Sequence, residues 1–323
     1  MILTQAQGVG SLLRDAFYAW IDDNAPTHGA ALAYYTVFAL APLLIIVIAI
    51  AGLVFGREAA QGQILSQIEG LVGEQGGRAV QAMLENARQP GPGIVASAIG
   101  LITLIIASTG VFAQLQVSLD TIWRVTPKPG RGILGIIRDR LLSFLMVIVA
   151  GFLLLVSLVL SAALAALGKF FSYLLPVPEG VLHGVNFVVS FAVITLLFAA
   201  IYKVLPDAKI SWSDVWIGAA VTSLLFSLGK FVIGLYLGKG SVASAYGAAG
   251  SLVIILVWVY YSAQILLYGA EFTAVYAIRY GSRIVPTENA ISLNPAACEP
   301  PERSLEDSRD ASEKRPGVAK PTI

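Results

Sequence analysis

Long apolar stretches with almost no charge alternate with shorter polar connections along most of this 323-residue chain. A helix of about 20 apolar residues crosses the roughly 30 Å hydrocarbon core of a bilayer, so each stretch predicts one membrane-spanning helix. The pattern therefore predicts an all-α fold, a polytopic six-helix transmembrane bundle within residues 29–283. The predicted spans are 29–56, 93–116, 141–167, 181–203, 213–237 and 248–278.

The segments outside these spans differ in character. Residues 1–28 contain an amphipathic helix, which either lies in the membrane interface or packs under the bundle. The connection 57–92 is interpreted as two short amphipathic helices broken at Gly76-Gly77. In residues 284–323 polar and charged residues and proline dominate, and this composition predicts a disordered tail.

Basic residues in the short connections predict the orientation. The connections on the N-terminal side of the membrane carry ten Lys and Arg residues, and those on the opposite side carry five. The positive-inside rule then places both termini in the cytoplasm and the connection 57–92 outside. We expect a membrane protein with multiple spans.

Composition excludes several classes of protein. The chain is 57% hydrophobic and 13% charged, against about 25% charged in a soluble domain. With a net charge of +1 and no basic patch of domain size, the sequence predicts no nucleic-acid partner. The single cysteine, Cys298, rules out an intramolecular disulfide.

Enzyme chemistry finds no support in the residues. His28 and His183 begin the first and fourth predicted spans, on opposite membrane faces, so they are not expected to meet. Motifs for zinc hydrolysis, phosphate binding and a nucleophilic serine do not occur. We expect no catalytic residue, no metal and no cofactor.

Polar side chains within the apolar spans are the better candidates for function, because a polar group in hydrocarbon must be satisfied or useful. Each has a structural alternative: interfacial tyrosines, a lysine that reaches the surface, and a glutamate paired with Arg279, Arg283 or a basic residue of 124–140. The residues proposed to form a substrate path are Tyr34, Tyr35, Lys230, Tyr246 and Glu271.

Proline and glycine predict breaks or hinges at Pro42, Gly247 and Gly250. A continuous helix from 240 to 270 would measure about 46 Å, too long for the layer without tilt. The segment 238–251 is therefore either an external loop or a break that lines a cavity.

The basic connection after the second span has two interpretations. It is a topology determinant, or it contacts anionic lipid headgroups. Small residues such as Ala219 and Ser223 permit close helix approach, within one chain or in a homo-oligomer. The basic residues are Arg124, Lys128, Arg131, Arg138 and Arg140.

Several motifs, in the right order, resemble the YihY / virulence factor BrkB family of bacterial inner-membrane proteins over about residues 10–280. They are residues 33–42, residues 203–207 followed by Trp212, residues 246–251, and residues 258–260 leading to 267–271.

The resemblance implies a six-helix inner-membrane fold, with links to serum resistance and envelope homeostasis. A transport role is often suggested for the family, and some members have carried the name ribonuclease BN, which the residues above do not support.

Two functions remain open. One is a membrane transporter or lipid-handling protein without ATP chemistry, with membrane lipids as partners. The other is a structural or scaffolding protein that acts through the connection 57–92.

Overall fold

A computed structural model of the chain describes residues 2–87, 110–128, 145, 179–238, 249–281 and 284–293. The helices are α1 (Ile2–Asp22), α2 (Ala25–Phe55), α3 (Arg57–Ala87), α4 (110–122), α5 (Glu179–Val204), α6 (Trp212–Gly238) and α7 (Gly250–Arg279). The strands are β1 (Val125–Pro127), β2 (Ala208–Lys209), β3 (Val285–Pro286) and β4 (Ala290–Ser292).

Within the described residues, four helices are long and apolar enough to cross a membrane: Ala25–Leu53, Phe187–Val204, Trp212–Ile233 and Gly250–Arg279. They match the first, fourth, fifth and sixth predicted spans. Only the end of the second predicted span is described, and there the helix continues to residue 122. The third predicted span lies outside the described residues apart from Leu145.

Helices α6 and α7 pack closely through a reciprocal arrangement of glycine and threonine. Gly218 of α6 lies against Thr273 of α7, and Gly269 of α7 lies against Thr222 of α6, so closely that a Cβ at either glycine would overlap the facing side chain. Each threonine hydroxyl donates to the glycine carbonyl four residues earlier in its own helix, at 2.7 Å. The absence of a side chain at two positions thus fixes how near the helices come.

A buried tyrosine of α5 closes this contact. The hydroxyl of Tyr202 lies 3.1 Å from Thr222 Oγ1 and donates to the Leu266 carbonyl at 2.7 Å. A phenol buried in an apolar bundle needs such partners. All hydroxyls at this junction are therefore hydrogen-bonded.

Helix α3 kinks at Gly73, where φ is 80°. The predicted break at Gly76-Gly77 is therefore wrong, although the prediction of two amphipathic pieces is close. Only glycine adopts this backbone conformation without steric cost, so Gly73 can serve as the break. Gly76 is instead buried in the helix, where a Cβ would come within 2.6 Å of Val72 Cγ2.

The C-terminal half of α3 packs against the C-terminal half of α2 and the first turns of α7. Val80 and Leu84 of α3 form one apolar cluster with Ile48 of α2 and Ile255 of α7. This connection is consequently part of the packed helical structure.

Helix α1 packs against the end of α7. Leu12 and Ala16 form a cluster with Phe272, and the Tyr268 hydroxyl donates to the Leu13 carbonyl at 2.9 Å. Arg279 binds Asp15 at 3.1 Å on the same contact. Helix α1 is therefore packed against α7, and its place in the membrane interface stays a prediction.

Two short antiparallel strand pairs join the connections at this end of the bundle. Strand β1 pairs with β4 through Thr126 and Ile291, and β2 pairs with β3 through Lys209 and Val285. The prediction of disorder from residue 284 is therefore wrong for 284–293, because backbone pairing and burial of Ile284 and Ala290 hold this segment. The rest of the predicted tail lies outside the described residues.

The sequence motif formed by residues 203–207 and Trp212 has a structural role beside the strand pairs. The Lys203 ammonium lies 5.4 Å from the centre of the Trp212 ring and donates to the Ile210 carbonyl. Nearby, the Asp207 backbone N–H donates to Asp120 Oδ1 at 2.8 Å, which ties the turn to the end of α4. The motif therefore shapes the turn between α5 and α6.

Candidate functional site

Two buried carboxyl groups meet where α1, α2 and α7 come together. Asp23 lies in the turn between α1 and α2, and Glu271 lies on α7 with only 2% of its surface exposed. The two side chains lie close enough to interact directly. A hydrogen bond between them requires that one carboxyl carry a proton, because two carboxylates are both acceptors. Within the described residues, Asp23 Oδ2 and Glu271 Oε1 have no hydrogen-bond partner.

Arg124 connects this pair to the surface. Its Nη2 lies 2.6 Å from Asp23 Oδ1, and its side chain is 49% exposed while that of Asp23 is 4% exposed. Charge-assisted contacts of this length are strong, and here the cation partly offsets the cost of burying a carboxylate. Arg124 therefore stands between the buried acids and the solvent.

The backbone on both sides of the ion pair is left-handed. Asn24, next to Asp23, has φ of 51°, and Arg124 has φ of 54°; among the described residues these are the non-glycine positions with positive φ. Asparagine tolerates this region well, whereas it is unfavourable for arginine. Strained backbone that persists is often found at functional sites.

Electrostatics at Asp23 reflect its burial. Burial raises the pKa of the Asp23 carboxyl above its ordinary value of 3.8, and nearby Asp22 adds to this effect. Arg124, the hydrogen bond from Glu271 and His28 act in the opposite direction but are smaller than the effect of burial. A proton is thus held more readily here than on a solvated aspartate.

A seam of polar side chains leads from this pair along α2, α4 and α7. His28 Nδ1 lies 3.3 Å from Ser118 Oγ, and Ser118 donates to the Gln114 carbonyl at 2.8 Å. The Gln114 amide in turn lies 3.5 Å from Ser118 Oγ. We call Asp23, Glu271, His28, Ser118, Gln114 and Gln264 the polar seam.

Gln264 is the least satisfied member of the polar seam. It lies on α7 against Gly29 of α2, and within the described part of the chain neither its amide nitrogen nor its amide oxygen has a hydrogen-bond partner, although both are buried. It precedes Glu271 by two helical turns, about 10 Å along the same face of α7. Buried polar atoms without partners are rare and call for an explanation such as water or a ligand.

A mostly apolar cleft of about 190 Å³ lies outside the seam, between α1 and α7. It is lined by Phe17, Trp20, Gln264, Ile265 and Tyr268. Gln264 therefore contributes both to this cleft and to the seam.

Comparison with known proteins gives the family. The family described as virulence factor BrkB matches residues 16–292. The chain belongs to this family. This confirms the resemblance drawn from the sequence motifs.

Three proteins of similar sequence are named UPF0761 membrane proteins. That of Psychrobacter sp. (strain PRwf-1) is 27% identical, over 88% of this chain and 51% of the relative. That of Verminephrobacter eiseniae is 29% identical over 81% and 60%, and that of Vibrio atlanticus is 31% identical over 78% of each. The chain thus spans about half to three fifths of the first two relatives. No solved structure matches.

The residues predicted for a substrate path are only partly brought together. Glu271 lies in the polar seam. Tyr35 lies near Gly110 of α4, beyond Gln114, but is 42% exposed, and Tyr34 is 59% exposed. Lys230 is exposed on α6, about 14 Å along the helices from the level of Glu271. Tyr246 lies outside the described residues.

The structure describes some of the residues predicted as hinges or as contacts for anionic lipid. Helix α2 continues through Pro42, and Gly250 is the buried first residue of α7. Gly247, with the segment 239–248, lies outside the described residues. Arg124 pairs with Asp23, and Lys128 Nζ donates to the Glu288 carbonyl at 2.6 Å. Outside the described residues are Arg131, Arg138 and Arg140.

Sequence reasoning missed Asp23 and Gln264. The sequence does not single out Asp23, yet it is next to Asn24, a residue that favours left-handed turns. Gln264 could have been found from the sequence, because it is a polar amide within the apolar stretch 240–270. Burying an amide in a membrane span costs free energy unless the group has a partner or a function.

Proposed function

We propose that this membrane protein of the BrkB family is a transporter without ATP chemistry, and that its path follows the polar seam between α2, α4 and α7. The observation that carries the proposal is the Gln264 amide, which is buried against Gly29 with both polar atoms unpartnered. A protein that only supports other components has no need of such a group inside its own bundle.

Two further features support the proposal. Buried Glu271 lies on the same face of α7 as Gln264, about two helical turns away, and Asp23 beside it is paired with half-exposed Arg124. In addition, the α1–α7 cleft gives Gln264 an apolar approach from outside the bundle. We place the protein in a bacterial inner membrane with both termini in the cytoplasm, on the basis of its basic connections.

Single-cysteine labelling tests whether the seam is wet. Cys298 is the only cysteine, so Cys298→Ser gives a cysteine-free chain into which Gln264→Cys or Gln114→Cys is introduced. The protein is reconstituted in vesicles of phosphatidylethanolamine and phosphatidylglycerol and treated with a membrane-impermeant cationic methanethiosulfonate. We expect both seam cysteines to react at least about tenfold faster than the controls, because only a hydrated thiol forms the reactive thiolate readily.

Two control positions bracket the result. Ala219→Cys places the thiol at a fully buried position of α6, and Leu228→Cys places it on the exposed apolar surface of the same helix. If the seam cysteines react as slowly as these two, the path does not exist, and the scaffolding function of the connection 57–92 is the better explanation.

A further inference from the structure

The Asp23–Glu271 pair has the geometry of a site for a single proton. Both side chains are more than nine-tenths buried, and each has an oxygen that lacks a donor when the pair is fully ionised. One proton on the pair supplies the missing donor and leaves a single negative charge opposite the single positive charge of Arg124. Two buried carboxylates with one cation would leave an uncompensated charge, which is costly in an apolar bundle.

The proton has a preferred position within the pair. Asp23 already has the Arg124 guanidinium at 2.6 Å, whereas no cation is paired with Glu271 among the described residues. The ion pair therefore favours the carboxylate form at Asp23 and the protonated form at Glu271. The Arg124 guanidinium is already fully protonated and cannot accept the proton, so the proton leaves from Glu271 to the Asp23 carboxylate and from there to water beside the half-exposed guanidinium.

We propose that Asp23 and Glu271 bind and release one proton, and that this proton is the coupling ion of the transport proposed above. The second part rests on the proposed function; the first does not. A metal ion fits less well, because within the described part of the chain no three His, Cys, Asp or Glu side chains are grouped to hold one. Release of the proton leaves a buried negative charge, which favours a rearrangement of α7 against α2.

Other charged groups face the pair and set its response to pH. They are Asp22 at the end of α1, His28 on α2 and Arg124 after α4. By Coulomb's law a negative charge on Asp22 or Asp23 opposes a second negative charge on the pair, whereas the Arg124 cation favours it. Removing Arg124 and removing the Asp23 charge must therefore act in opposite directions.

Infrared difference spectroscopy on the full chain in phosphatidylethanolamine and phosphatidylglycerol vesicles tests the proposal. We expect a protonated-carboxyl band that persists into the neutral range and disappears as the pH is raised. It should be absent in Glu271→Gln. Arg124→Ala should move its disappearance to higher pH, and Asp23→Asn to lower pH. Asp214→Asn, at another buried carboxyl, is the matched control and should leave the band unchanged.

Three results would overturn the proton site: a band that survives in Glu271→Gln, shifts of the same sign in Arg124→Ala and Asp23→Asn, or loss of the band at constant pH when sodium replaces choline. The last would indicate a sodium site. These outcomes are independent of cysteine labelling at 264 and 114, so a failed proton site and a failed path are distinguishable.

Discussion

The two faces of α7 are packed by different rules. The face toward α6 and α5 holds Thr273 and Gly269, and the hydroxyls of Tyr202, Thr222 and Thr273 are all hydrogen-bonded there. The face toward α2 holds Gln264 and Glu271, which have buried polar atoms without partners. At about 100° per residue the two sets lie on opposite sides of the helix.

The difference separates polar residues that stabilise helix packing from those to which the proposed function is assigned. On the α6 face each hydroxyl is satisfied within the protein, so water has no role and the helices approach closely. On the α2 face polar groups remain available to a proton, water or a substrate. The same helix is thus fixed on one side and available for chemistry on the other.

The largest expected effect is on the closely packed face. Gly218→Ala places a methyl group into Thr273 and should lower the free energy of unfolding by about 3 kcal/mol, since overpacking a tight core forces neighbours apart. Denaturation in mixed micelles measures it. The double variant with Gly218→Ala and Thr273→Gly should recover part of the lost free energy of unfolding.

A glycine in open surroundings serves as the control for that variant. Gly70 in α3 is exposed, with nothing near the position of a Cβ. Gly70→Ala should stabilise slightly, by roughly 0.5–1 kcal/mol, because alanine favours the helix. Equal losses at Gly70 and Gly218 would show that the α6–α7 contact has no special role.

The next effect concerns the ion pair at the α2 face. Arg124→Ala leaves Asp23 buried without its cation and should cost about 2 kcal/mol, less than the 3–5 kcal/mol of a fully buried pair because half of the guanidinium is in water. Adding Asp23→Asn should restore part of this loss in the same unfolding measurement.

An exposed ion pair tests that interpretation. Arg78 and Glu74 form an i,i+4 pair on the surface of α3, and Arg78→Ala should change stability very little. If Arg78→Ala and Arg124→Ala cost the same, burial of Asp23 contributes nothing.

The smallest effects are expected to differ in sign between the two faces. Thr222→Val removes a satisfied hydroxyl and should destabilise by about 1 kcal/mol. Gln264→Leu removes an unsatisfied amide and should stabilise by about 1 kcal/mol. Thermal unfolding in detergent compares the two variants directly. Loss of stability in both would remove the distinction between the faces.

Much of the fold follows from the sequence because a bilayer imposes a simple length rule. The four described spans agree with the predicted ones within about three residues at most ends; the exceptions are the start of the first and the end of the fifth, each about four residues off, and the start of the fourth, about six residues off. The kink at Gly73 was misplaced because the pattern offers several glycines and only backbone geometry selects one.

The candidate site was less predictable, for a physical reason. Glu271 was identified because it interrupts an apolar span. Its partners Asp23 and Arg124 are far away in the chain and sit in polar connections, where charged residues are ordinary. Only the packing of α1, α2 and α7 shows that Asp23 is buried while its neighbour Asp22 is exposed.

The strand pairs at the end of the bundle have a consequence for biosynthesis. The partners of β1 and β2 are β4 and β3, which the ribosome makes after all the described helices. The connections that contain β1 and β2 therefore cannot form their strand pairs while the last spans are still being inserted. This end of the bundle consequently lacks its strand pairs during insertion. Residues 285–292 pair with β1 and β2 only after the helices are in place.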